Sequence, residues 1–384
     1  MVDSDRGFRV ARQSPRDCHM RVTIVSGYHS GSHQAWAEGY AAASVNDVSI
    51  VSLPGEFWQW RLTGGFVDLA AGVVAEVVSG DTPDVILATS MVDVAGLRGM
   101  LARDGVDIPV ALYMHENQIT YPPLGRNRTE RLYGLVNWTS LLAADSIAFN
   151  SAFHYDEVMD ALPLLLREMP DERHDHLLPE VEHRSGVLPV GCTLSDVGPG
   201  DKSDPPIVVW NHRWDRDKDP GTFLRIMQRV ADCGIDFRLA LMGERFVKQR
   251  ADHDEAVSRL GDRVVIDGYP DRKRYVEMLA AATVAVSVAP QEFFGISVVE
   301  AMHSGCLPIL PDRLVYPERV PSHLYDRCLY RSEDEAVALL STSLSDPVGT
   351  REVAATLSEH TRLFDWSVVA PRYDDWLVGV VDGR

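Results

Sequence analysis

Glu292 and Glu300 stand eight residues apart on either side of Gly295, within the stretch Ala289 to Pro308, APQEFFGISVVEAMHSGCLP. The apolar run Thr283 to Val288 ahead of them reads as a buried strand. The periodic segment Ile296 to His303 reads as a helix that Gly305 stops. One carboxylate therefore falls in a loop at a strand end, and the other about one turn into the helix. Glycine at 295 is expected to leave the amides that open the helix uncovered, and free N–H groups at a helix N-terminus attract phosphate. Carboxylates for hydroxyls beside amides for phosphate suit a nucleotide sugar. A solvated loop acid and an ordinary helix acid fit the same spacing.

Other chemistry-bearing residues also cluster at strand ends. Arg213 and Lys218 lie between the strand-like run Ile207 to Trp210 and a helix from Gly221 to Asp232, with Pro220 at its first turn, where they can reach a shared anion. His115, Glu116, Asn117 and Gln118 follow the run Val110 to Met114, and polar groups in that position rarely serve the core. Arg21 to Ser26 ends in a glycine-bearing turn, Gly27 to His33, before a helical stretch from Gln34 to Ala43. His29 and His33 in that turn face a ligand, or cap and pack. Pro54 to Arg61, PGEFWQWR, is either an aromatic binding segment or a packed loop. His174, His176 and His183 fit no common zinc spacing and read as a solvated segment.

These residues need a frame, and the hydrophobic rhythm supplies one. Strand-like runs at Val48 to Leu53, Asp84 to Thr89, Ser146 to Phe149, Phe237 to Met242, Val264 to Ile266 and Leu307 to Leu310 alternate with helical stretches such as Gly65 to Val78, Asp271 to Ala282 and Glu333 to Ser345. Alternation of this kind predicts α/β units with parallel sheets covered on both faces. At 384 residues the chain suits two such domains. The expected division is a tail at 1–19, an N-terminal Rossmann-like domain at 20–200, a C-terminal one at 201–365, and a helix at 366–384 returning to the first. The pattern blurs from Phe153 to Glu182.

Five scattered cysteines without CxxC spacing read as reduced thiols. No apolar run approaches the roughly 20 residues that span a bilayer, and the first 19 residues lack a secretory core, so a cytosolic protein is expected. The net charge of −19 argues against broad, non-specific binding to nucleic acid. A local basic patch remains open: Arg126, Arg128 and Arg131 follow the HENQ segment, Arg61 lies in PGEFWQWR, and Tyr121, Trp58 and Trp60 offer stacking faces. The same arginines are equally suited to pairing with the excess acid.

Arg213-x4-Lys218 followed by Glu292-x7-Glu300 resembles the diphosphate-binding pair and the donor-binding motif of family 4-type, GT-B fold glycosyltransferases. PGEFWQWR, LYMHENQITYP, AFNSAFH, NHRWDRDKDP, LMGERF, EFFGISVVEA and DRLVYPE resemble, more closely, the tRNA-queuosine α-mannosyltransferase family. The likeness does not cover the tail, and it is loose from Phe153 to Pro189 and at the C-terminus.

The resemblance implies two Rossmann-like domains with a crevice between them. It implies transfer of mannose from GDP-mannose to queuosine in the anticodon of tRNA-Asp, with retention and without a metal ion or other cofactor. It assigns Arg213 and Lys218 to the diphosphate, Glu300 to the ribose, Glu292 and His115 to the sugar, and Gly27, Ser30, Gly31, Gly243, Phe294, Gly295 and Ile296 to the donor. Trp58, Arg61, Glu116, Asn117, Tyr121, Arg126 and Arg128 fall to the acceptor. Two other readings stay open: a GT-B transferase with another nucleotide sugar and a small-molecule or lipid acceptor, and a non-catalytic RNA- or nucleotide-sugar-binding module.

Overall fold

Short β-branched runs bounded by Gly, Pro and Asn become central strands buried on both faces, which is why they read as continuous apolar stretches, while the edge strands Asp47–Pro54 and Val264–Asp267 are partly exposed. The computed structural model describes residues 19–121, 128–244, 254 and 257–383. The chain divides into two compact units, Cys192–Asp365 and the residues up to Gly191 together with those from Trp366 onward.

In the N-terminal unit, β1 (Arg21–His29), β2 (Asp47–Pro54), β3 (Val85–Thr89), β4 (Val110–Met114), β5 (Ser146–Phe149) and β6 (Ser185–Val187) form one parallel sheet in the order β2-β1-β3-β4-β5-β6. Helices Gly31–Ala43, Phe66–Ser79, Val94–Arg103, Arg128–Ala143 and Ala152–Arg167 connect them. The helix Trp366–Asp382 packs back onto this unit. Trp366 lies so close over Gly39 and Gly191 that a Cβ at either would sit 2.2 Å from the indole. Buried Asp374 accepts from Tyr40 Oη at 2.8 Å, Ser44 Oγ at 2.6 Å and Asn46 Nδ2 at 3.0 Å, which fastens the helix to the first helix and the turn after it.

In the C-terminal unit, β7 (Ile207–Trp210), β8 (Arg238–Leu241), β9 (Val264–Asp267), β10 (Val284–Val286), β11 (Leu307–Pro311) and β12 (Leu329–Tyr330) form a second parallel sheet, ordered β12-β11-β10-β7-β8-β9. Each sheet reverses direction of winding once, between β1 and β3 and between β7 and β10. In doubly wound sheets ligands bind beyond the carboxyl ends of the strands at such a point.

Several boundaries differ from the sequence reading. β1 runs three residues further, to His29, so Gly27 is a strand residue rather than part of the turn. Its Cβ position lies 2.1 Å from the Met91 carbonyl, and only glycine permits that approach. Half of PGEFWQWR is helical, Trp58–Gly64. The blurred segment holds the helix Ala152–Arg167 with Pro163 inside it, and His174, His176 and His183 are exposed beyond it. The two units part at Gly191/Cys192, not at 200/201. Cys192 N donates to Phe364 O at 2.7 Å, and Asp196 accepts from Arg272, so 192–200 pack with the C-terminal unit. Among the described residues no single helix is long and apolar enough to cross a membrane.

Candidate active site

The switch point of the C-terminal sheet is lined by the loop after β7, which carries Arg213 and Lys218, and the loop after β10, which carries Gln291 and Glu292. The two loops meet at one ion pair. Lys218 Nζ donates to Glu292 Oε2 at 2.9 Å and to Gln291 O at 3.2 Å, and lies 3.5 Å from Asp217. Arg213 pairs with the same Asp217 at 2.9 Å. The Lys218 and Glu292 side chains are only 12% and 16% exposed, so these charges depend on each other rather than on water.

Glu292 holds the turn as well. Its Oε1 accepts from Gly295 N at 3.1 Å and Phe294 N at 3.4 Å, and Gly295 takes φ 87°, a left-handed conformation that favours glycine. The Gly295 amide is therefore spent on Glu292, not left open as the spacing suggests. The first-turn amides of Ile296 and Ser297 have no partner within the helix Ile296–His303 and are the ones placed for an anion. Burial pushes the Glu292 carboxyl up, but the Lys218 charge and hydrogen bond, with His212 and the Phe294 amide, outweigh it and hold it below its ordinary value.

One residue that the sequence reading left out of the site belongs in it. His212 is buried, its Nδ1 lies 3.2 Å from Ser297 Oγ, and burial followed by the Lys218 charge lowers its pKa to about 4. Its neutral ring brings polarity without a competing cation. Among the described residues His212 Nε2, Gln291 Nε2 and Asp217 Oδ1 are buried with no hydrogen-bond partner. Orphaned polar atoms at this density around an ion pair mark a space that a polar ligand completes. Gly243 has a packing role: a Cβ there would lie 1.9 Å from His212 O, so glycine lets the loop after β8 pass the loop after β7.

The N-terminal unit gathers a different set. His115, just beyond β4, has its ring 4.6 Å from that of His33, 4.7 Å from Tyr113 and 4.4 Å, edge-on, from Trp36. Neither of its buried ring nitrogens makes a well-formed hydrogen bond among the described residues, although the Tyr113 backbone lies close enough to favour the protonated ring. Burial, then the neighbouring His33 and His154, holds its pKa well below the usual histidine value, so it is a neutral donor and acceptor at pH 7. Ser30 caps the helix Gly31–Ala43 without a side-chain hydrogen bond, and Gly55 gives its Cβ room to pass. Gly31 itself has φ 52°.

The expected acceptor residues separate. Asn117 is buried and spends its side chain on its own turn, accepting from Ile119 N at 2.9 Å and Thr120 N at 2.8 Å and donating to Thr120 Oγ1 at 3.0 Å. That makes it a support of the HENQ loop rather than a contact. Glu116 is half-buried and accepts from Gln118 Nε2 at 3.3 Å. Trp58 packs on Tyr133, with ring centroids 5.2 Å apart. Trp60 stays 62% exposed, its indole resting on Gly64, where a Cβ would come within 2.8 Å of the ring. Phe57, which the sequence reading passed over, is 74% exposed and holds φ 52°. Arg61 is half-buried with Nε unpartnered among the described residues, and Arg131 pairs with Glu168 at 2.9 Å. Tyr121 is half-buried; Arg126 and the Arg128 side chain lie outside the described residues.

Comparison with known proteins adds to this geometry. Residues 21–192 match the family described as tRNA-queuosine alpha-mannosyltransferase N-terminal, and residues 196–362 match glycosyl transferases group 1. The chain is 29% identical over 322 residues to a tRNA-queuosine alpha-mannosyltransferase of Drosophila melanogaster, covering 79% of this chain and 83% of that protein. It is 26% identical over 185 residues to a GDP-mannose:cellobiosyl-diphosphopolyprenol alpha-mannosyltransferase of Xanthomonas campestris, 46% of this chain and 48% of that one. Its fold is similar to that of a sucrose-phosphate synthase from Thermosynechococcus elongatus, with a TM-score of 0.71 at 18% identity over 95% of this chain and all of the other. Two six-stranded parallel sheets give the chain the GT-B fold, and the match over residues 196–362 supports a glycosyltransferase. Within that fold the likeness to the tRNA-queuosine α-mannosyltransferases rests on residues 21–192 and on the Drosophila relative.

Proposed function

We propose that this protein transfers mannose from GDP-mannose to the cyclopentenediol of queuosine in the anticodon of tRNA-Asp, with retention at the anomeric carbon, in the cytoplasm. The observation that carries the reading is the match of residues 21–192 to the N-terminal family of that name, joined to a unit whose ion pair and orphaned polar atoms suit a nucleotide sugar. The Xanthomonas relative is a GDP-mannose-dependent enzyme, which supports GDP-mannose as the donor here.

Lys218 and Arg213 neutralise the diphosphate as it leaves, with the Ile296 and Ser297 amides, so that the cations do the work otherwise given to a metal ion. Glu292 binds sugar hydroxyls and keeps Lys218 in place. Glu300 binds the ribose. We assign His115, a buried neutral ring beyond the end of β4, to the donor sugar. In front-face substitution the acceptor oxygen bonds to the anomeric carbon as the bond to phosphate breaks. The acceptor's proton passes to the departing phosphate oxygen, and no enzymic nucleophile is needed. Phe57 and Trp60 offer faces for unstacked bases, with Arg61 at the same helix for phosphate.

A second reading gives the same chemistry a lipid-linked or small-molecule acceptor. The net charge of −19 and the Xanthomonas relative favour it. Binding of tRNA that weakens steeply with salt separates the two, since only a phosphate backbone releases counterions in number. Transfer that persists in EDTA supports the metal-free role of Arg213 and Lys218; transfer abolished by EDTA and restored by a divalent ion would refute it.

A further inference from the structure

Glu300 is gripped from both sides. Arg272 Nη1 donates to its Oε1 at 2.6 Å, and Tyr275 Oη donates to its Oε2 at 2.8 Å. Each donor is itself anchored. Arg272 sends Nε and Nη2 to the two oxygens of Asp196, at 2.9 Å each. Tyr275 Oη accepts from Asn211 Nδ2 at 3.0 Å, and the same amide donates to Ser297 O at 2.8 Å. Arg272 and Tyr275 sit three residues apart in the first turn of the helix Arg272–Ala281, whose start Asp271 caps, so both reach from one face of a fixed element.

A glutamate on a helix surface ordinarily samples several rotamers. With one donor on each oxygen, this carboxylate has a single orientation, and each oxygen keeps lone-pair capacity for a further hydrogen bond. The guanidinium also offsets the charge that Glu300 would present to a nearby diphosphate. The Glu300 side chain is 14% exposed and Arg272 45% exposed, while the Tyr275 ring packs against the buried cluster of Met278 and Leu279 and holds its hydroxyl in place.

We propose that Arg272 and Tyr275 are positioning residues that set the Glu300 carboxylate to accept hydrogen bonds from the ribose hydroxyls of the donor nucleotide. The inference rests on the ribose role given to Glu300 above. Asp196 and Asn211 complete the grip from the start of the unit and from the loop after β7.

Calorimetric titration of the full chain with GDP and with 2′,3′-dideoxy-GDP, and with the uridine pair in parallel, tests it. Wild type should prefer the ribose form. Tyr275→Phe and Arg272→Gln should each weaken the ribonucleotide about tenfold, the size expected for a charged hydrogen bond, and leave the dideoxy form within about twofold. Arg272→Lys, which keeps a donor to Glu300 but cannot also clamp Asp196, should recover part of the preference. In turnover assays the donor KM should rise with kcat little changed. Equal weakening of both nucleotide forms would overturn the proposal, because that is the mark of a merely structural loss. Tyr275→Phe removes one oxygen and keeps the ring, so it decides the matter if Arg272→Gln does not fold. Glu300→Gln separates the two levels. If it loses the ribose preference while Tyr275→Phe and Arg272→Gln keep it, the positioning role falls alone. If Glu300→Gln keeps the preference, or wild type binds none of the nucleotides, the ribose reading falls and takes the positioning role with it.

Discussion

Around Lys218 charges are matched in pairs, Lys218 with Glu292 and Arg213 with Asp217, and Glu300 with Arg272 a short way along. Around His115 and Trp60 the contacts are ring against ring and indole against glycine. Fixed ion pairs keep a site set when it is empty, which suits stabilising charge that develops in a transition state. The rings around His115 are buried, while the exposed faces of Phe57 and Trp60 suit a partner that brings its own phosphates and flat bases. On the function proposed above, the C-terminal unit carries the donor's diphosphate and the exposed Phe57 and Trp60 of the N-terminal unit carry recognition of the acceptor, and the two should fail in different ways.

The sharpest break is expected at Lys218. Lys218→Ala should lower kcat about 100-fold, roughly 3 kcal/mol of lost transition-state stabilisation, and leave tRNA affinity unchanged. Turnover near wild type, measured with saturating donor, would remove Lys218 from the mechanism. On the other unit, Trp60→Ala should weaken tRNA binding about tenfold, in line with roughly 1–3 kcal/mol per stacked base, without changing donor hydrolysis. A loss of hydrolysis instead would mean the two sites are not separable in this way.

Buried histidines give both units an acid weakness. His212 at about 4 and His154 at about 3 lie below the ordinary value of about 6.5 because burial disfavours their charged forms. Their contribution is fully present above about pH 6.5 and is lost as pH falls toward 4 for His212 and toward 3 for His154, since the unfolded chain then binds protons that the folded one refuses. The urea midpoint should drop between pH 7 and pH 5, with a slope of up to roughly 1.4 kcal/mol per pH unit for each such histidine. A flat midpoint over that range would contradict the burial of these rings.

The smallest effect is the most diagnostic of recognition. Phe57 holds a left-handed backbone while its side chain stands 74% in solvent, a conformation that costs about 1–2 kcal/mol and has no packing return in the unit. Phe57→Gly should therefore raise stability by about 1 kcal/mol in urea titrations and weaken tRNA binding at the same time. Unchanged tRNA affinity would make the strain incidental.

Much of the C-terminal site was legible because its chemistry is local. Arg213-x4-Lys218 and Glu292-x7-Glu300 each fit within one loop and the helix that follows, so spacing translates directly into placement. What stayed hidden depends on distant pairing. Arg272 and Asp196 lie 76 residues apart, and the use of the Gly295 amide by Glu292 follows from how a turn closes. In the N-terminal unit, polarity at a strand end misled: Asn117 looks like a contact in the sequence and closes an Asx-type turn in the fold. The sequence reading reached every strand except β6 and β12, which, three and two residues long, are too short to carry a period. Pro163 inside Ala152–Arg167 obscured a helix of 16 residues.

One measurement bears on the central claim most directly: transfer of label from GDP-mannose into tRNA carrying queuosine, beside tRNA with unmodified guanosine at the same position and beside UDP-glucose as donor. Label from GDP-mannose in the queuosine-containing tRNA alone is the expected result. Slow GDP-mannose hydrolysis with no label in any tRNA would contradict the acceptor assignment and send the same transferase chemistry to a lipid-linked or small-molecule acceptor.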